Sequence, residues 1–346
     1  MTVQFDRSTA QAELAASAAA DESVEVPKRG SGRLGNLLKI GITVAVSAYV
    51  LWQAGLVDSL RTLAGADWRW VALAVVSSFL SMTINVKRWQ VMLAGQGGGA
   101  SLLTLIRLYL VAMFFNNVLP SRFGGDVVRA YGASINVTSR TRSAAAVIMD
   151  RLVGAISVLL LGVIAIVVNP SVIPTQLTQL LVVGLVVGLI VVGLLLTRTP
   201  VHNLGNYALA MFERLPFIGK RLGKRAQAAA EAVRAYAGQP GLIAWALMVS
   251  MVANGLAIVN LYLCTLAVGA DVRLAELAVI APVVMAVGLL PISINGLGTI
   301  ELTFVVLLGL LGIDKDVALA VAILRRLVLL GQSLIGGVLY SARRFG

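Results

Sequence analysis

The feature that most constrains this chain is a polar break set inside apolar sequence. From Phe114 it reads Phe114-Phe-Asn-Asn-Val-Leu-Pro120-Ser-Arg122-Phe-Gly124-Gly125-Asp126-Val-Val-Arg129-Ala-Tyr131, and beyond a short basic connection an apolar helix carries Asp150 and Arg151. Hydrocarbon cannot hydrogen-bond an open backbone, so a break of this kind at membrane depth is tolerated only where it is buried in protein or lines a cavity. The stretch is expected to be a site.

The flanking sequence places that break in a membrane. Of 346 residues 58% are hydrophobic and 13% charged, and the mean hydropathy is +0.90. Apolar runs of about 20 residues, long enough to cross roughly 30 Å of hydrocarbon, recur along the chain. The net charge of +12 comes from Lys and Arg gathered between those runs, which fits positive-inside topology better than a nucleic-acid partner. A single cysteine, Cys264, and a single histidine, His202, argue against a disulfide framework, a metal site or Ser/Cys-His chemistry. Gly219-Lys-Arg-Leu-Gly223-Lys-Arg lacks the Gly-Lys-Ser/Thr ending of a P-loop, so no cofactor and no ATP site are predicted.

Taken in order, residues 1–33 are too polar to pack and read as a disordered cytoplasmic tail. A first span covers 36–57, with an outer loop at 58–69 anchored by Trp68 and Trp70. A second span, 71–94, carries Lys87 and Arg88 near its inner end, for snorkelling or for a headgroup contact. Residues 101–136 read as a re-entrant hairpin entered from the cytoplasm, which keeps Arg140 and Arg142 inside. Spans follow at 143–168 and 177–196, then a basic cytoplasmic loop over 198–240, read either as a topology signal or as an attractor of anionic lipid. The remainder is a span at 242–268, a second hairpin broken between Pro291 and Glu301, and a last span at 317–340 before Arg343 and Arg344. The predicted fold is an all-α polytopic membrane domain over 34–344, with six full transmembrane helices, two re-entrant broken hairpins and both termini cytoplasmic.

The two breaks are alike. Val118-Leu119-Pro120, a glycine pair and Asp126 parallel Leu289-Leu290-Pro291, a Gly296-x-Gly298 and Glu301; Asp150-Arg151-Leu-Val parallels Arg325-Arg326-Leu-Val. Span, span, hairpin, span thus occurs twice, over about 36–169 and 177–341, and three full spans per half make the copies inverted, a plan that places paired broken helices near the bilayer midplane.

The charges suggest an anion. A helix beginning near Gly124 and Gly125 would offer free amides and a positive dipole end. Arg122 and Arg129 could add guanidinium contacts to a phosphate. Asp126 is either the partner of Arg122, Arg129 or Arg151, or a helix-start residue stabilised by the dipole. Asp150 and Arg151 lie roughly 10 Å into their helix at 1.5 Å per residue, so they should face protein and be paired. Arg325 and Arg326 project in different directions, one expected to meet Asp150 or Glu301 and the other to face a cavity. With Arg88 added, and Asn295, Gly296 and Gly298 forming the second break, the candidate set carries more positive than negative charge.

On Pro120-x-Arg122-x-Gly124-Gly125-Asp126, Asp150-Arg151-Leu-Val-Gly and Gly296-x-Gly298-x-x-Glu301, the chain resembles the membrane domain of bacterial lysylphosphatidylglycerol synthases and its stand-alone flippase-like relatives. The resemblance implies a lipid translocase of the cytoplasmic membrane, moving an anionic phospholipid or a polyprenyl-phosphate-linked lipid between leaflets. The sequence ends at Gly346, directly after the last span, so lysyl transfer is not expected and the chain is not read as an enzyme. Its expected partners are membrane lipids, with a lipid-modifying enzyme and a second copy of the chain as further candidates. The rival readings are an accessory subunit of a lipid-linked glycosyltransferase and a non-transporting membrane scaffold.

Overall fold

A computed structural model describes residues 33–118, 124–134, 140–170, 234–236, 238–289 and 293–342, with isolated positions at 172, 176, 179 and 183. All of the expected tail but Arg33, nearly all of the span at 177–196, most of the basic loop, His202, Pro120, Arg122, Pro291, Arg343 and Arg344 lie outside the described residues. Every regular element described is helical. Contacts divide the chain at Gly41, and the described part of the first unit is the opening of helix α1 (Arg33–Ala54).

Within the second unit, the first apolar run does not end in a loop. At Gly55, whose φ of +69° is open to glycine at little steric cost, the helix bends by 71° into α2 (Leu56–Ala64). Asp67 then accepts a hydrogen bond from the Arg69 amide at 2.9 Å and starts α3 (Trp68–Gly95). The predicted outer loop is therefore largely helix, because a glycine and a capping carboxylate punctuate it at both ends.

The remaining helices are α4 (Leu102–Val118), α5 (Gly124–Ser134), α6 (Arg140–Val168), α7 (Pro240–Ala267), α8 (Leu274–Leu289), α9 (Thr299–Gly309) and α10 (Lys315–Ala342). Among the described helices four, α3, α6, α7 and α10, are long and apolar enough to cross a membrane, and the bent pair α1–α2 is a fifth candidate. Helices α4, α8 and α9 are apolar but shorter, as arms of broken elements should be. Together these make a polytopic helical membrane protein.

Packing is reciprocal. Helix α4 lies against α5 and against the distant α10; α8 lies against α9 and against the distant α6. Helices α3 and α7 run along each other and are joined by polar contacts suited to lipid, where side-chain hydrogen bonds hold helices together. Ser77 and Ser81 donate to the carbonyls of Leu256 and Ala253 at 3.1 and 2.9 Å, and Asn260 donates to the Ala74 carbonyl at 2.6 Å. Two apolar cores result, one around Trp89, Met92, Leu105 and Met149 and one around Leu261, Ile280, Phe304 and Leu319.

Candidate functional site

In the first broken element, α5 folds back on α4 because Gly125 has no side chain. A Cβ there would strike the Ala112 carbonyl oxygen and come within 2.6 Å of the Asn116 side chain. The Gly125 amide donates to Asn116 Oδ1 at 2.8 Å. This corrects the expectation of a free Gly125 amide: it is spent on joining the two arms. Gly124 opens the same helix.

From this hairpin a line of charge runs into the protein. Asp126, the third residue of α5, receives Arg151 through Nε at 3.1 Å and Nη2 at 2.8 Å. Asp150 is 2% exposed and holds two arginines, Arg88 Nε on Oδ1 at 2.7 Å and Arg129 Nη2 on Oδ2 at 2.8 Å. Arg88 also donates to Ser250 Oγ. Arg129 stacks on Trp89 at 4.3 Å and Tyr109 at 4.9 Å, with Asp126 3.8 Å from its Nη1. Losing one partner of such a buried cluster is costly; here the carboxylate is held on both oxygens, while Arg129 Nε is buried without a hydrogen-bond partner among the described residues.

Two expectations change. Arg129 is not a phosphate ligand, since at 3% exposure it is enclosed by Asp150 and two aromatic rings. Arg88 neither snorkels nor reaches a headgroup, being buried against Asp150 and Ser250, whereas Lys87 is exposed and donates to Gln90. Arg122 lies outside the described residues.

The second broken element repeats the plan with other chemistry. A 3₁₀ turn at Ile294–Gly296 contains Asn295 at φ +50°, and Gly298 at φ +76° starts α9. The turn is fastened to α1: the Ile294 amide donates to Thr43 Oγ1 at 2.9 Å, and a Cβ on Gly298 would come within 2.8 Å of the Ser47 amide nitrogen. Glu301, third in α9, receives Arg326, twelfth in α10, just as Asp126, third in α5, receives Arg151, twelfth in α6. Both pairs span twenty-five residues. Arg326 also reaches the Gly296 carbonyl at 3.4 Å.

Arg325, which precedes Arg326, forms no ion pair among the described residues. Its guanidinium lies 5.8 Å from the Phe304 ring, and its Nε is buried without a hydrogen-bond partner among them. It lines a cavity of about 230 Å³ between α4 of the first broken element and α9 and α10 of the second. Asn116, Asn117, Asn295 and Arg326 supply the other polar groups, and Ile300, Phe304, Leu329 and Leu330 an apolar wall. Asn295 Nδ2 donates to Asn117 Oδ1, so the two breaks touch across the cavity.

Of the candidate residues read from the sequence, Asn295, Arg325 and Arg326 line this cavity, and Gly296 and Glu301 sit behind it through Arg326. Arg88, Asp126, Arg129, Asp150 and Arg151 form the separate cluster. Asn116 and Asn117 were missing as site residues, although two amides ending an apolar helix are a legible signal.

The fold and these paired breaks define a multi-pass membrane protein organised around interrupted helices. A family model of the lysylphosphatidylglycerol synthase TM region matches residues 36–336, and the chain belongs to that family. Two relatives extend over nearly all of it. A UPF0104 membrane protein of Pyrococcus horikoshii is 25% identical over 329 residues, covering 89% of this chain and 96% of its own length. A UPF0104 membrane protein of Methanothermobacter thermautotrophicus is 27% identical over 311 residues, covering 84% of this chain and 90% of its own.

Proposed function

We propose that the protein is a lipid translocase of the cytoplasmic membrane, with the cavity at Arg325 as the station of an anionic headgroup. The observation that carries this reading is a guanidinium with no counter-charge from the described protein, held at the meeting point of two broken helices. A cation in such surroundings is costly unless an anion or water compensates it. The broken helices belong to an inverted pair of repeats with six full spans and two re-entrant hairpins; the reciprocal packing and the matched positions of Asp126–Arg151 and Glu301–Arg326 support that topology. Headgroups cross between the halves while the chains stay in the bilayer.

Proteoliposomes carrying phosphatidylglycerol with its native headgroup and a reporter on a short acyl chain test this directly. Wild type is expected to expose inner-leaflet label to an external quencher, and Arg325→Gln to lose most of that movement while folding normally. Unchanged movement in a folded Arg325→Gln protein would remove the cavity from the mechanism.

A further inference from the structure

We infer that the cavity selects a lipid whose headgroup is a phosphodiester with a neutral, hydroxyl-bearing substituent, a substrate class that rests on the translocase reading above. The first argument is charge. Arg326 is committed to Glu301 and the Gly296 carbonyl, so that pair adds no net charge to the wall. Arg325, beside Phe304, contributes one positive charge that no acid among the described residues compensates. One negative charge balances it. A phosphomonoester carries close to two at neutral pH and would bring an unbalanced charge into a partly apolar space. An aminoacylated headgroup would bring an ammonium next to a guanidinium, where like charges repel.

The second argument is the rest of the polar wall, which is made of carboxamides. Each carries both donors and an acceptor, the complement of a hydroxyl, and none can neutralise a second full charge. Bonds already formed use Asn116 Oδ1, Asn117 Oδ1 and Asn295 Nδ2. The opposite ends of these amides are two NH₂ donors and one carbonyl acceptor, a set suited to glycerol or sugar hydroxyls beside a phosphate. The third argument is continuity with lipid: Leu330 in the cavity wall shares a face of α10 with Leu327, Leu334 and Val338, all exposed. Spaced three or four residues apart, they give the chains an apolar track from the same opening.

The test is binding to the purified full-length protein by native mass spectrometry, using lipids of matched acyl chains. Phosphatidylglycerol is compared with phosphatidylmethanol, phosphatidic acid and lysylphosphatidylglycerol, and with water-soluble glycerophosphoglycerol. A lost charge-assisted contact corresponds to roughly tenfold or more in affinity. Phosphatidylglycerol is expected to bind about tenfold more tightly than phosphatidic acid or lysylphosphatidylglycerol, with Arg325→Gln erasing the difference and Arg325→Lys keeping part of it. Asn117→Ala should remove the advantage of phosphatidylglycerol over phosphatidylmethanol, which has the charge but no hydroxyls. Equal or tighter binding of phosphatidic acid or of the lysylated lipid overturns the substrate class; if that binding still depends on Arg325, the translocase reading survives. Binding of every lipid independent of Arg325 overturns both. Soluble glycerophosphoglycerol binding as tightly as the lipid overturns a lipid substrate.

Discussion

Asp150 and Arg325 hold equivalent places in the two broken-helix units and carry opposite charge. Each immediately precedes the arginine that reaches back twenty-five residues to an acid in the first turn of the helix after the break. Three residues after that acid stands Arg129 in one unit and Phe304 in the other. In the first unit the carboxylate is therefore clasped by two arginines, and in the second an arginine lies beside a phenyl ring. The first unit closes its charges into a structural knot. The other is left as a cationic cavity.

The knot predicts an asymmetric response to mutation. Asp150→Asn would leave Arg88 buried without its acid and Arg129 with only Asp126, 3.8 Å away, and removing one partner of a buried ion cluster costs on the order of 3–5 kcal/mol. The thermal midpoint in detergent is expected to fall sharply and folded yield with it. An unchanged midpoint would show that water reaches this cluster.

The matched pairs should differ in strength. Arg151 has half of its side chain exposed, whereas Arg326 has 22% exposed and Glu301 11%. A double-mutant cycle with alanine at both members is expected to give a coupling of about 1 kcal/mol or less for Asp126–Arg151, in keeping with exposed pairs. Coupling should be larger for Glu301–Arg326. The reverse ranking would mean that the second pair opens to solvent.

How far the sequence could reach is set by the range of each interaction. The breaks and the described apolar spans were legible because they are local patterns of Pro, Gly, charge and hydropathy. So was the division of labour between Arg325 and Arg326, because neighbours on a helix point apart. The Arg88–Asp150 pair was hidden: it joins helices sixty-two residues apart in sequence, and nothing local marks which way Arg88 turns. Arg129 looked like a ligand for the same reason. Only the packing of α5 on α4 and α6 turns it towards Asp150, Trp89 and Tyr109. Gly125 resembled an anion-binding amide because glycine permits close approach by any group, and here the group is the Ala112 carbonyl of the opposite arm.

Two glycines in one helix separate packing from propensity. At Gly336 a Cβ would run into the Leu110 carbonyl of α4, whereas at Gly331 it would meet nothing within 4 Å. Gly336→Ala must force α4 and α10 apart and is expected to lower the thermal midpoint. Gly331→Ala should leave it unchanged or raise it, since alanine is favoured over glycine within a helix by roughly 1 kcal/mol. Equal destabilisation by both would point to lipid or a second copy of the chain packing on Gly331.

The hydrogen bond between Asn117 and Asn295 ties one break to the other, so lipid passage between the halves should require it to open. Asn295 adopts a left-handed conformation at φ +50°, which asparagine and glycine tolerate and most other residues do not. Asn295→Gly accordingly keeps the backbone but deletes the tie together with a carboxamide of the cavity wall, and is expected to fold normally while binding phosphatidylglycerol less tightly than wild type. Asn295→Val adds a branched side chain to the same conformation and should reduce folded yield. Cysteines at 117 and 295, in a variant first shown to fold despite the strain of a cysteine at φ +50°, should when joined by a short reversible cross-linker move less lipid in proteoliposomes than the same variant after reduction; buried Cys264 serves as the unreacted internal control. Full movement with the cross-link complete would mean that the two breaks stay together through the cycle, and that the headgroup passes beside them instead of between them.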